Sequence, residues 1–535
     1  MKKSDYLLLF IISLVLLGIG MIFQKVPGYM DAEYYYSNGI RLYKGYGFTE
    51  EVIWNYLSDP QGLPVPSHAY WMPLPSILAA GGMFLCGDSN YFCARIPFLL
   101  LGAALSSITA LISWRFFKNR SQALFSGILA IFSGFYLVYI TAVETFGLYL
   151  FFGALFLFLT AEILAKDIKD KRKVFYYFLL GLVCSGFYLS RADGVIWLLA
   201  AGIVLFLDTF RQKTKLAINK TSLFLFLKNG LILFFGFILF VLPWLLRTYQ
   251  TFGSITAPGS SYMFFLTEYN QLFNFSPDSL TLVNFLSSGW GHIVGAVINS
   301  IKNNLQTLLA VQGSIFLLPF LVVGIWKQRR EAVVQVMCFA WIMIFLIMSV
   351  AFPHAGFRGG FLHSGSAIQV FFWVMIPLGF SESIKFIGKK RKWNTIQAEK
   401  IFRTGMIFLS LVLTVFLFYQ KVIIKENGVS AWEKSANHYA RVSEQIKEIK
   451  PEEKITIMVN DPPGFYLASG QASIMIPNGN LETLFSAAEK FNADILILEK
   501  SHVDGLDQLY KNPEMSSRLQ LTAQVNDTYI FEILE

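Results

Sequence analysis

The sequence predicts a polytopic α-helical membrane protein with about eleven transmembrane helices and a small α/β domain at its C-terminal end. Three observations predict it. Of 535 residues, 55% are apolar and only 15% charged, against about 25% charged in soluble globular proteins. The apolar residues are gathered into runs long enough to cross ~30 Å of hydrocarbon, which takes about 20 helical residues. From residue 425 onward the long runs stop, and short apolar strands alternate with amphipathic helices. Soluble, fibrous and disordered classes are thereby excluded.

Eleven spans are expected, near 6–23, 95–117, 121–141, 145–165, 173–190, 194–209, 226–246, 305–326, 331–352, 366–384 and 401–421. The first follows Lys2 and Lys3 and lacks a small-residue cleavage site, so it reads as an uncleaved anchor with a cytoplasmic N-terminus. The run 73–86 is shorter and opens with Pro73 and Pro75, which suits a re-entrant or interfacial segment. Counting it as a span would invert every later loop, and the basic residues argue against that. With eleven spans, one side holds Arg115, Lys118 and Arg120; Lys166, Lys169, Lys171, Arg172 and Lys173; Arg211, Lys213, Lys215 and Lys220; Lys327, Arg329 and Arg330; and Lys389, Lys390, Arg391 and Lys392. The other side holds scattered single cations. Positive residues favour the cytoplasmic side, so the net charge of +9 reflects sidedness and implies no nucleic-acid partner.

On this reading residues 1–424 form the membrane domain, with outer loops 24–94 and 247–304, and residues 425–535 form an extracytoplasmic α/β domain. In that domain, helices are expected at 431–448 and 481–491, and strands at 455–459, 495–498 and 529–534. Asn460 to Tyr466 follows the first of these strands and reads as a rigid turn that starts a helix. Four cysteines, Cys86, Cys93, Cys184 and Cys338, are too few for a disulfide scaffold. Cys86 and Cys93 are near enough to pair in an oxidising compartment, but buried inert thiols are the expectation.

Ionisable residues at the membrane boundary are costly and point to function. Asp31 and Glu33 follow the first span directly, among Tyr29, Tyr34, Tyr35 and Tyr36. Burial there raises a carboxyl pKa toward that of a general base; equally, Asp31 is placed to cap a helix. Glu144 follows the third span, where it too is placed to cap. Arg191 and Asp193 lie between two spans and can neutralise each other. His68 stands before Trp71, and Arg358 and His363 lie in the glycine-rich stretch 353–364. All fall on one expected face, which suggests one cavity, acidic on one wall and cationic on another. Arg358 with its flanking glycines offers a cation and accessible backbone N–H groups to a phosphate.

The acidic motif after the first span, the segment His68 to Pro75, the acid after the third span and Arg191-Ala192-Asp193-Gly194 together resemble the GT-C class of membrane glycosyltransferases. The dolichyl-phosphate-mannose–protein mannosyltransferases and bacterial aminoarabinose transferases are the nearest in pattern. The resemblance covers roughly residues 5–260 and weakens to residue 421. It implies a polyprenyl-phosphate-linked sugar donor, an outer active site and inversion at the anomeric carbon. Asp31 would be the general base and Glu144 the second acidic position. Here Ala32 separates Asp31 from Glu33, where the pattern has adjacent acids, so either residue remains a candidate base.

The residues agree with that chemistry. An acceptor hydroxyl is a weak nucleophile and needs a positioned base, while a departing lipid phosphate needs cationic stabilisation. Arg191, Arg247, Arg358 and His363 are the candidates for the phosphate. Tyr34, Tyr35, His68, Trp71 and Asp193 are the candidates for the sugar or acceptor. The expected partners are a lipid-linked sugar, the bilayer, and a glycan, lipid or protein acceptor. A divalent metal is compatible but not demanded, because no ligand-spacing motif is present. The competing expectations are a transporter or flippase, and a sensor of lipid-linked sugars. The former usually carries two matching halves, which this chain lacks. A bacterial plasma membrane is the expected location.

Overall fold

The computed structural model describes all residues except 166–169, 213–214, 217–219, 427, 452–453 and 535. Lys166, Lys169 and Lys213 of the expected basic loops therefore lie outside the described residues. The chain divides into two compact units. The first comprises Met1–Phe23, Ile96–Arg247 and Val297–Lys421; the second comprises Gln24–Arg95, Thr248–Ala296 and Val422–Glu535.

Among the described residues nine helices are long and apolar enough to cross a membrane: Lys3–Phe23, Ile96–Phe117, Thr145–Ile163, Asp170–Ser190, Ala192–Phe210, Lys220–Phe252, Ala332–Ala351, Pro353–Arg391 and Thr395–Ile423. They coincide with nine of the eleven expected spans. The other two apolar runs are broken. The helix Arg120–Ile131 stops before Gly134, which has φ +61 and begins a 3-10 turn to Val138. The Gly134 N–H is taken by Thr414 Oγ1 at 3.0 Å, so the break leaves no stranded donor. In the run 305–326, Ser314 and Ile315 adopt φ +44 and +56, and a new helix starts at Leu318–Gln328 with a proline in its first turn. Apolar composition sets the solvent, but glycine and proline set where a helix stops.

Close helix contacts in the first unit rest on glycine. A Cβ on Gly379 would lie 1.8 Å from the Phe320 carbonyl oxygen, and one on Gly324 would lie 2.2 Å from that of Met375. Small residues let helices approach in this way where lipid supplies no hydrophobic drive. Gly379→Leu should therefore force the helices Leu318–Gln328 and Gln369–Arg391 apart. We expect a loss of about 1–3 kcal/mol, the usual cost of overpacking, read as a lower melting temperature of the purified protein. An unchanged melting temperature would contradict this packing. Charges at helix ends are paired: Arg120 with Asp5 at 2.6 Å, Arg115 with Glu162 at 2.7 Å and Lys173 with Asp208 at 2.6 Å.

The second unit is built on a six-stranded sheet in the order Leu519–Val525, Thr528–Ile533, Ala493–Leu498, Thr456–Val459, Ala472–Met475 and Val52–Ile53. The last four are parallel neighbours and the first two pair antiparallel. Helices Lys434–Ile449 and Leu481–Phe491 match the expected ones closely. Ile457, Val459, Ile495, Ile497 and Ile530 form its core with Val442, Ile446 and Phe465. The segment 460–466 is the expected turn, with Asp461 capping the helix Pro462–Ser469. The edge strand was not anticipated: Val52–Ile53 comes from the first loop, far from the tail in sequence. Leu74–Cys86 is a 13-residue apolar helix closed by Gly87 at φ +73. One expectation is corrected: Cys86 and Cys93 are joined in a disulfide, with Cα atoms 5.8 Å apart. The turn between Leu74–Cys86 and the short helix Tyr91–Ala94 brings the two residues back to back, so they are not inert thiols. Cys184 and Cys338 are free.

Candidate functional site

In the first unit, Glu144 is fully buried and caps the helix Thr145–Ile163. Its Oε1 accepts the Phe146 N–H at 2.7 Å and its Oε2 accepts the Thr145 hydroxyl at 3.1 Å. The same Oε2 lies 3.3 Å from Nδ1 of His363, whose ring stacks on Phe146 at 4.0 Å. Both carboxylate oxygens are thus engaged, and Nδ1 is committed to Glu144 and Thr145 (3.1 Å). A carboxylate in this position fixes the imidazole's orientation and makes Nδ1 a donor, so the ring can offer Nε2–H to an anion only as the imidazolium.

One helical turn on, the same two chain segments build a second acid site. Tyr149 donates to Asp193 Oδ1 at 2.7 Å, Ser364 donates to Asp193 Oδ2, and Arg191 Nε meets Oδ1 at 3.2 Å. The Glu144–His363 and Arg191–Asp193 pairs are thus held by the same two segments, through the chain neighbours His363 and Ser364. Tyr149 was missed from sequence; its only signal is a hydroxyl within an otherwise apolar run, which must find a partner when buried. Arg358 is exposed, 6.0 Å from the Phe357 ring, in the segment Gly356–Gly360 that kinks at Gly359, φ +125. Arg247 lies over Trp244 at 4.9 Å in a helix that contains Pro243.

In the second unit, Asp31 and Glu33 occupy the first turn of the helix Met30–Tyr43, where the dipole favours negative charge. The entry to this helix is clamped. Trp432 donates from Nε1 to the Val26 carbonyl at 2.7 Å and meets the Tyr29 ring edge-on at 5.9 Å. Gly28 is left-handed at φ +84, and a Cβ there would lie 2.5 Å from the Trp432 ring. Asp31 is half-buried. By the 3.6-residue period it shares a face with Tyr34, Tyr35 and Asn38, while Glu33 points the other way.

On the Asp31 face, Tyr34 and Tyr35 are buried and meet Trp71 at 4.7 and 5.9 Å. The Tyr34 hydroxyl accepts the His68 N–H at 2.8 Å. The His68 ring contacts Ser67 at 2.8 Å through Nδ1 and Ser76 at 3.1 Å through Nε2. Trp71 in turn stacks on Trp54 at 4.1 Å. Four of the five residues expected on the sugar or acceptor side thus form one wall, which Trp54 extends; the fifth, Asp193, belongs to the first unit. Sequence reading missed Trp54 because nothing in Val52-Ile53-Trp54 marks it apart from an ordinary apolar run.

On the opposite face, Glu33 is buried against Asp461. A Cβ on Gly464 would lie 2.9 Å from Asp461 Oδ2 and 3.0 Å from Glu33 Oε2, so the two carboxyls converge on one point. Glu33 Oε2 has no hydrogen-bond partner among the described residues, and two ionised carboxylates buried this near each other repel, which favours a proton on one. Burial, then the Asp461 charge, hold the Glu33 carboxyl well above its ordinary value, and burial likewise raises Asp461. Burial also raises Glu499, which lies near Asn460 and Tyr439.

This has a measurable sign. Below Glu33's ordinary value of 4.5 the folded and unfolded chains both hold the proton, and the pair's stabilisation is complete. As pH rises past it, the unfolded chain releases its proton while the folded one keeps it. Stability therefore falls, by up to ~1.4 kcal/mol per pH unit, until the folded group ionises. Melting temperatures between pH 5 and 8 should drop in the wild type and drop less in Glu33→Gln, which mimics the protonated acid. Parallel curves would refute proton sharing.

Among the described residues no three His, Cys, Asp or Glu side chains are grouped to hold a metal ion.

No family model matches the chain, and no curated protein matches it. Solved structures do. ArnT from Cupriavidus metallidurans bound to undecaprenyl phosphate is 12% identical, with a TM-score of 0.58 over 99% of this chain and 98% of that one. The archaeal oligosaccharyltransferase AglB from Archaeoglobus fulgidus, in complex with an inhibitory peptide and a dolichol-phosphate, is 12% identical with a TM-score of 0.53, over 93% and 69%. A complex of the Archaeoglobus fulgidus oligosaccharyltransferase with Zn and sulfate is 9% identical, with a TM-score of 0.52 over 91% and 67%. The fold is therefore that of the GT-C membrane glycosyltransferases, and the chain is an integral membrane protein.

Proposed function

We propose that the protein is an inverting glycosyltransferase that moves a sugar from a polyprenyl-phosphate carrier to an acceptor hydroxyl. The observation that carries this reading is the placement of Asp31. It stands half-buried in the first turn of a helix whose next turn carries the aromatic wall, while Glu33 lies on the other face, buried near Asp461. Of the two candidate bases, Asp31 is the one that shares its helix face with that wall. The fold supports the same reading, since the neighbour that matches end to end holds a polyprenyl phosphate.

In the reaction Asp31 accepts the proton of the acceptor hydroxyl as its oxygen attacks the anomeric carbon. The bond from that carbon to the phosphate oxygen breaks on the opposite face, through an oxocarbenium-like state. Polyprenyl phosphate leaves with the bonding electrons. The departing phosphate needs cationic stabilisation; the candidates for it, all in the first unit, are Arg358, His363 and Arg247. Glu144 and Thr145 position the His363 ring, and Asp193 neutralises Arg191. Tyr34, Tyr35, His68 and Trp71 shape the acceptor side.

The Cys86–Cys93 bond supports an exoplasmic first loop, because disulfides persist in oxidising compartments. With the positive-inside pattern it supports a cytoplasmic N-terminus and an exoplasmic tail. A bacterial plasma membrane with undecaprenyl phosphate as carrier fits this arrangement. The test is to incubate the purified protein with a panel of synthetic polyprenyl-phosphate hexoses and pentoses and score transfer or hydrolysis by mass spectrometry. Turnover of at least one donor is expected. Binding of donors without turnover of any would replace this reading with that of a carrier.

A further inference from the structure

A cavity of about 370 Å³ opens in the second unit between the first loop and residues 251–258. That volume is in the range of small-molecule sites. Its wall carries the rings of Trp54 and Tyr70 and the polar groups of Glu50, Asn55, Asp59 and Gln61, and no lysine or arginine lines it. The geometry points to a saccharide-binding site that takes an uncharged or amino-bearing sugar unit of the acceptor.

The chemistry of the wall selects this class. A pyranose has an apolar C–H face and a rim of hydroxyls. The π-face of an aromatic ring is electronegative and takes the polarised C–H groups, while carboxylate and amide groups take the hydroxyls. The nearest cation, Lys490, is engaged by the lining residue Asp59 at 2.7 Å, so the wall offers an incoming phosphate carboxylate and amide groups rather than a lysine or arginine of its own.

The wall is also built before any ligand arrives. Trp54 is held between Trp71, stacked at 4.1 Å, and Tyr70, edge-on at 5.0 Å. Asn55 Oδ1 accepts the Leu57 N–H at 3.1 Å, which orients its amide and turns its NH2 into the donor. Pro258-Gly259 packs on Tyr70; a Cβ on Gly259 would lie 3.1 Å from that ring. Groups fixed in this way lose little freedom on binding.

The site is tied to Asp31 through one helix. Glu50 accepts from Asn38 Nδ2 at 3.2 Å, and Asn38 lies on the Asp31 face, seven residues on. At 1.5 Å per residue that is about 10 Å along the axis, longer than one pyranose ring. The sugar held in the cavity is therefore a neighbour of the reacting one, and the acceptor is a disaccharide or longer. This last step rests on the proposed transfer reaction; the binding itself does not.

The test uses the full-length protein in detergent. Tryptophan fluorescence is titrated with mannotriose, chitotriose, maltotriose, inorganic phosphate and a serine/threonine peptide. Saturable quenching by at least one trisaccharide is expected, with none by phosphate. Tyr70→Ala, at a partly exposed ring, should weaken that binding at least tenfold; Asn55→Ala, at a buried amide, should do the same in protein whose melting temperature is unchanged. Asp31→Asn should leave it unchanged. Donor hydrolysis by water, measured in parallel, should survive in Tyr70→Ala while transfer to the trisaccharide falls. No saturable binding by any trisaccharide, binding of the peptide instead, or binding indifferent to both variants overturns the inference. Loss of donor turnover in the wild type alone would instead strike the transfer reaction and leave the sugar site standing.

Discussion

Asp31→Asn should lower sugar transfer by about 100- to 10,000-fold, the usual contribution of a positioned general base, with the protein still folded and inserted. The asparagine keeps the size and most of the hydrogen-bonding capacity of the carboxylate but cannot accept the proton. Because Asp31 is half-buried and lies in the first helical turn, the change also removes one charge from the dipole. That costs only ~0.3–1 kcal/mol. Activity and stability are thus expected to separate: kcat falls steeply, KM for the donor changes little, and the melting temperature moves slightly. The paired variant Glu33→Gln should retain transfer near neutral pH. If Glu33→Gln abolishes transfer and Asp31→Asn does not, the two acids have the reverse roles.

His363→Ala should cost about 100- to 1,000-fold in the rate of the chemical step, in the range found when one donor to a developing oxyanion is removed. The ring is firmly held. Its face is on Phe146 at 4.0 Å and its Nδ1 is committed to Glu144 and Thr145, so the imidazole is positioned before the reaction begins. Glu144→Gln can still cap the Phe146 N–H through its amide oxygen. It should therefore fold, but with a ring less well fixed and a rate about tenfold lower. The double variant should be no slower than His363→Ala, since Glu144 acts through the ring. Single-turnover measurements with a synthetic lipid-linked sugar decide the matter. Additive losses would give Glu144 a role of its own in the reaction.

Much of this was legible in the sequence, for physical reasons that differ from element to element. Nine spans were readable because a run of apolar residues has few stable states other than a spanning helix. The breaks at Gly134 and at Ser314-Ile315 were not, because composition averages over the one or two residues that bend a chain. In the tail, Leu481–Phe491 was readable from its amphipathic period and its Asn480 cap. Leu519–Val525 was missed because most of that edge strand is solvated, so its alternation carries little apolar signal. At the site, the acids and cations were visible as costly residues at span ends, and so was the pairing of Arg191 with Asp193. The partner of Glu33 was invisible. Asp461 lies more than 400 residues away, and long-range carboxyl pairing leaves no local pattern.

The strand at Val52–Ile53 finds its neighbour at Ser473 and Ile474, about 420 residues further along the chain. At ~5–20 residues per second of synthesis, the ribosome needs some tens of seconds to deliver that partner after the first loop has emerged. During this interval the nascent first loop waits with an open edge, and the six-stranded sheet is completed only after Thr528–Ile533 has been made. A premature stop between residues 424 and 472 should therefore leave a chain that keeps its spans but is recognisable to quality-control proteases by its unfinished sheet.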